Sequence, residues 1–172
     1  RADGYITSDV RPLVRVDVGV QCAKGDKHEW GYDGFGGRTT YAECIDERVW
    51  QDAADAAYKQ ACDKLEASPC PSGEMPVVLG PGWPGVILHE AIGHGLEGDA
   101  IRKGESVFAP LLNERVASDQ VSVVDDGTVP DRRGSLNIDD EGTPTQRTLL
   151  IARGKLVSFM HDRMSARHFG VS

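Results

Sequence analysis

The segment PLVRVDVGV, residues 12–20, alternates apolar and polar positions with the two-residue period of a half-buried strand. The Gly-rich stretch WGYDGFGGRTTYAEC predicts a turn at Gly34, Gly36 and Gly37, with a second extended segment after it to complete an antiparallel pair. Over residues 45–65 the period changes to that of a helix. Val49, Ala53, Ala56, Ala57, Ala61 and Leu65 share one face, and acids sit near the start, where the helix dipole favours them. SPCPSGEMP breaks this helix, VVLG reads as a short buried strand, and PGWPG turns the chain into another helix with Pro84 at a first helical position. Beyond it VSVVDDG predicts a strand, QRTLLIARGKLVSFMHD a hairpin about Arg153 and Gly154, and RMSARHFG a helix. The pattern as a whole predicts an α+β fold, a mixed and largely antiparallel sheet with packed helices, formed as a single piece over residues 1–172.

Composition narrows the function classes. The 172 residues suffice for a proper core, and 40% hydrophobic with 27% charged residues describes a globular chain. A formal charge of -8 argues against direct nucleic-acid binding and against an anionic membrane surface, both of which need clustered Lys and Arg. No apolar run is long enough to span a bilayer. Cys22, Cys44, Cys62 and Cys70 have no C-x-x-C or zinc-ribbon spacing, which predicts reduced thiols and a cytoplasmic setting, with a single Cys62–Cys70 disulfide as the alternative. The chain opens on Arg1 and stops inside a predicted helix, so it is expected to be a piece of a longer polypeptide.

Two motifs compete for the chemistry. Gly80 to Gly85 matches G-x-G-x-x-G between a strand and a helix, but Pro81 and Pro84 lack the backbone N–H groups that a pyrophosphate would need there. LHEAIGHGLEGD is the stronger candidate. His89 and His94 are the proposed zinc ligands, and Glu90 is the general base for a water that the metal activates. The spacing is unusual: histidines four apart lie about 40° apart around a helix, whereas five apart they diverge by roughly 140°. A one-residue π-bulge restores a common face to positions i and i+5, and Gly93 and Gly95 are residues that tolerate such a distortion.

The run GWPGVILHEAIGHGLEGDAIRKGESVF resembles the TldD branch of the TldD/PmbA family of zinc metallopeptidases, which carries H-E-x-x-x-H in this Gly-rich setting. The likeness extends to VRPLVRVDVGV, MPVVLGPGWPG, VVDDGTVPDRRGSLNIDDEGTPTQ and LIARGKL, in order. It implies hydrolysis of unfolded or leader-type peptides, including peptide maturation, and pairing with a PmbA-type subunit, with a homo-oligomer as the alternative. Older descriptions of the branch as DNA gyrase modulators come with it. Residue by residue, it makes His89 and His94 zinc ligands and Glu90 the catalytic glutamate. It also implies a third ligand, a Cys, from a later β-rich C-terminal domain outside this chain, which would make the chain the central part of a larger two-domain protein.

Other residues are weighed beside these. Asp99 is the best local candidate to orient a histidine or to replace the missing ligand, while Glu97 reads as a surface acid. Residues 125–145 form a long Gly-, Pro- and Asp-rich loop with two open readings. It is a lid in which Arg132 or Arg133 holds a peptide, or those arginines pair with Asp139, Asp140 or Glu141 and order the loop. The rivals to a peptidase are a binding or scaffold module with a vestigial motif, acting through a partner, and a closed structural metal site with four filled ligands.

Overall fold

A computed structural model describes residue 4, residues 6–44 and residues 46–171. The architecture is α+β, with two small antiparallel sheets and packed helices. The single piece expected from the sequence is laid out as two compact units. One contains Thr7–Glu74 and Val129–Leu136; the other contains Met75–Thr128 and Asn137–Ser172, with Arg1–Ile6.

In the first unit, strand β1 (Val14–Lys24) pairs along its whole length with β2 (Lys27–Gly37) through a two-residue turn in which Gly25 has φ +61°. The Gly-rich stretch expected to be a turn is thus the second strand itself. Its glycines serve close approach: a Cβ on Gly31 would overlap the Ala57 carbonyl, and one on Gly36, at φ +143°, would overlap that of Val14. Helix α1 (Glu47–Glu66) begins at Asp46, whose side chain accepts the Arg48 N–H, and buries Ala53, Ala57, Ala61 and Leu65 as their spacing predicts. Ile45, the first residue of the expected helix, lies outside the described residues. Small side chains on this face let the strand backbone at Gly31 lie against the helix. All four cysteines are free thiols, with Cys22 and Cys62 meeting at 4.0 Å between sulfurs, rather than Cys62 with Cys70.

In the second unit, β3 (Val123–Asp126), β4 (Arg147–Ala152) and β5 (Lys155–Leu156) form an antiparallel sheet in that order. Arg153 and Gly154 have φ +46° and +82°, the left-handed pair of a tight hairpin, and a Cβ on Gly154 would also strike the Ser118 carbonyl. Leu96, Ile101, Leu150, Ile151, Leu156 and Phe159 make the core, with Ile92, Phe108, Leu111 and Val123 packed against it. Helix α2 (Gly98–Lys103) ends at Gly104 in the left-handed conformation, and α3 (Arg163–Phe169) starts at Asp162, which accepts the Ser165 N–H at 2.7 Å. The VVLG segment is no buried strand: Val77 and Val78 are 72% and 96% exposed. An apolar run becomes a strand only where another strand receives it, and no described segment pairs with this one.

His161 follows the core residue Phe159, and its ring also meets Phe169, with centroids 5.5 Å apart. Its Nδ1 is buried with no hydrogen-bond partner, and burial holds the imidazole below its ordinary value of 6.5 against the weaker opposing pull of Asp162. The unfolded chain therefore binds a proton below pH 6.5 that the folded ring resists, so the stability contributed by His161 is present above that pH and is lost as pH drops below it. Thermal unfolding followed between neutral and mildly acidic pH is expected to show this decline, and His161→Phe is expected to reduce its slope.

Candidate metal centre

The motif begins where Pro84 sets the backbone of a short 3-10 turn, Trp83–Gly85, which leads into one α-helical turn at Val86–Leu88. The helix then widens. Residues His89–Gly93 form a π turn, and the His94 N–H donates to the His89 carbonyl, the i to i+5 bond that defines it. Immediately afterwards the chain tightens into a 3-10 turn, His94–Leu96, and Glu97 turns extended at ψ 128° to end it.

The wide turn brings the two histidines together. Their ring centroids are 4.6 Å apart and nearly perpendicular, and His94 Nε2 lies 3.7 Å from Glu90 Oε2. One ligand atom from each of His89, Glu90 and His94 falls within 4.8 Å of the other two, and all three residues are exposed. Two ligands on a tetrahedral zinc with bonds of about 2.0–2.1 Å stand roughly 3.4 Å apart, a spacing of the same order as the 4.8 Å that bounds this cluster. Two imidazoles and a carboxylate fit a zinc hydrolytic centre by donor type. Among the described residues no third histidine or thiolate joins the cluster.

Asp99 departs from expectation. It lies on α2 and accepts from Lys103 at 3.0 Å, and this ammonium holds its carboxyl below the usual range. It is not in the group formed by His89, Glu90 and His94. Glu97, expected to be an uninvolved surface acid, instead has its Oε1 2.8 Å from His94 Nδ1. The signal available in the sequence was a carboxylate three residues after the second histidine. Arg132 and Arg133 are exposed and lie in the other compact unit. Of the acids weighed as their partners, Asp139 accepts the N–H groups of Glu141 and Thr143, and Glu141 accepts that of Arg163.

The glycines of the motif differ in purpose. Gly93, within the π turn, has room for a Cβ, which would lie 3.9 Å from His89 Nδ1. At Gly95 a Cβ would sit 2.7 Å from two ring carbons of Phe108, and the Gly95 carbonyl accepts from Ser106 at 2.5 Å. Gly98 is closed in by Ser165, His161 and the Met160 carbonyl.

The family model described as the PmbA/TldA metallopeptidase C-terminal domain matches residues 72–172, which include the whole motif. The chain belongs to the PmbA/TldD metallopeptidase family. It is 48% identical over 99% of its length to the metalloprotease TldD homolog of Haemophilus influenzae, and 33% identical over 65% to the zinc metalloprotease TldD homolog of Saccharolobus solfataricus. It spans about a third of the length of the Haemophilus relative, 36%. The fold is shared with two solved structures. A Thermotoga maritima protein described as a modulator of DNA gyrase superposes with a TM-score of 0.76, at 23% identity over 92% of this chain and 35% of that one. TldE of Thermococcus kodakarensis gives 0.74, at 21% identity and the same coverage. Among the described residues no helix is long and apolar enough to cross a membrane.

Gly95→Ala is expected to disturb the site more than Gly93→Ala, because only the former meets a packed ring. Overpacking of this kind costs about 1–3 kcal/mol. Denaturant unfolding of the two variants checks the order, and equal stability would remove Phe108 from the account.

Proposed function

We propose that this chain carries the zinc-binding and proton-transfer elements of a metallopeptidase that hydrolyses unfolded or leader-type peptides. The observation that carries the reading is the common face that the π turn gives His89, Glu90 and His94. Membership of a metallopeptidase family supports it. His89 and His94 hold the ion, and a third ligand comes from polypeptide outside this chain, because a catalytic zinc takes three protein ligands and keeps one position open. Bound there, zinc supplies Lewis acidity and lowers the pKa of water towards neutrality. Glu90 takes the proton from the attacking water on its carboxylate and returns it to the leaving amine nitrogen. The substrate lies extended along a sheet edge, a mode that reads backbone and suits varied sequences. The working assembly pairs this subunit with a PmbA-type partner.

Zinc titration separates the parts of this reading. Tight one-to-one binding is expected only in a polypeptide extended beyond this chain, and is lost with His94→Ala. Tight binding by the 172 residues alone would require a local third ligand and overturn the split site.

Glu90→Gln in the full-length protein is expected to keep zinc while peptide hydrolysis falls by about 10²–10⁴-fold, the usual contribution of a positioned acid–base group. Unchanged hydrolysis would remove Glu90 as the general base, and absence of hydrolysis in the wild-type full-length protein would point instead to a scaffold with a vestigial motif.

A further inference from the structure

We infer that Glu97 is the positioning residue of this centre: it fixes the proton of His94 on Nδ1 and so keeps the Nε2 lone pair turned to the metal face. The inference rests on the metallopeptidase reading and adds to it a residue outside the H-E-x-x-x-H motif.

The proton assignment follows from chemistry. An ionised carboxylate only accepts, so the 2.8 Å contact between Glu97 Oε1 and His94 Nδ1 places the hydrogen on Nδ1. A neutral imidazole protonated there has its lone pair on Nε2. That nitrogen is the one 3.7 Å from the carboxylate of Glu90, a member of the cluster with His89 and His94. One hydrogen bond therefore sets both the tautomer and the rotation of the ring.

The backbone makes the arrangement specific. In a 3-10 turn, residues i and i+3 eclipse each other, so the turn His94–Leu96 stands Glu97 over His94. Glu97 is also pinned on both sides. Leu96 is fully buried and its carbonyl accepts the Met160 N–H at 2.9 Å, while the Gly98 N–H donates to the Met160 carbonyl at 2.6 Å. These bonds make Glu97 and Met160 a parallel bridge, fastening the carboxylate's backbone to the segment that follows the core residue Phe159. Asp99 pairs instead with Lys103, at 3.0 Å.

The experiment measures zinc affinity of the full-length protein by competition with a chelating dye, together with side-chain ¹⁵N spectra of its histidines in the metal-free state. Glu97→Ala is expected to weaken zinc binding by about 10–100-fold, the usual effect of removing a carboxylate behind a ligand histidine. Glu97→Gln, whose amide oxygen still accepts from Nδ1, is expected to recover most of the loss, and Asp99→Asn to match wild type. The spectra are expected to show His94 protonated on Nδ1, changing in Glu97→Ala without a change in the melting temperature of the metal-free protein. Wild-type affinity in Glu97→Ala, or a His94 proton on Nε2, would overturn the positioning role while His94→Ala still abolished binding. Zinc binding untouched by His94→Ala would instead overturn the metal reading itself, and this inference with it.

Discussion

The hydrogen bond from the His94 N–H to the His89 carbonyl is the constraint on which the rest of the site depends. It spans five residues instead of four, and the extra residue rotates His94 back onto the face of His89 and Glu90. A regular helix through the same residues would separate the imidazoles by roughly 140° and leave no shared ion position. The next turn departs in the opposite sense, tightening to three residues so that Glu97 overlies His94. A wide turn followed by a narrow one thus supplies first the pair of rings and then the acceptor that orients one of them.

Such irregular turns persist because the residues after them are held by packing. Leu96 is wholly buried in the core with Ile101, Leu150 and Leu156, and emptying a leucine site of that kind costs about 2–5 kcal/mol. Gly98 admits no side chain between Ser165, His161 and Met160, and Gly95 none beside Phe108. The exposed functional groups therefore stand on a buried end. The backbone that follows His94 is held by the burial of Leu96 and by the two bonds of Leu96 and Gly98 to Met160.

The hairpin and helix of the other unit use glycine for a related purpose. Gly31 in the middle of β2 and Gly36 near its end are glycines because Ala57 and Val14 carbonyls occupy the space of a Cβ. Ala53, Ala57 and Ala61 supply the matching small side chains on α1. Close packing of backbone on backbone here replaces the large apolar side chains that usually fill such an interface.

Local chemistry was legible from the sequence alone. Alternation gave β1, the spaced alanines gave α1, and Arg153-Gly154 gave the hairpin, because each depends on residues near in the chain, while the H-E-x-x-x-H spacing raised a π turn only as the condition under which both histidines share a face. Three features were decided only in three dimensions. The Gly-rich stretch became a strand, since a glycine needed for close approach and one needed for a turn look alike until the opposing backbone is in place. VVLG stayed unpaired, because strand formation needs a partner that its own residues cannot specify. Glu97 displaced Asp99 as the histidine's carboxylate partner because the direction of the chain after His94 is set by burial of Leu96 and by the bridge to Met160, more than sixty residues away in sequence.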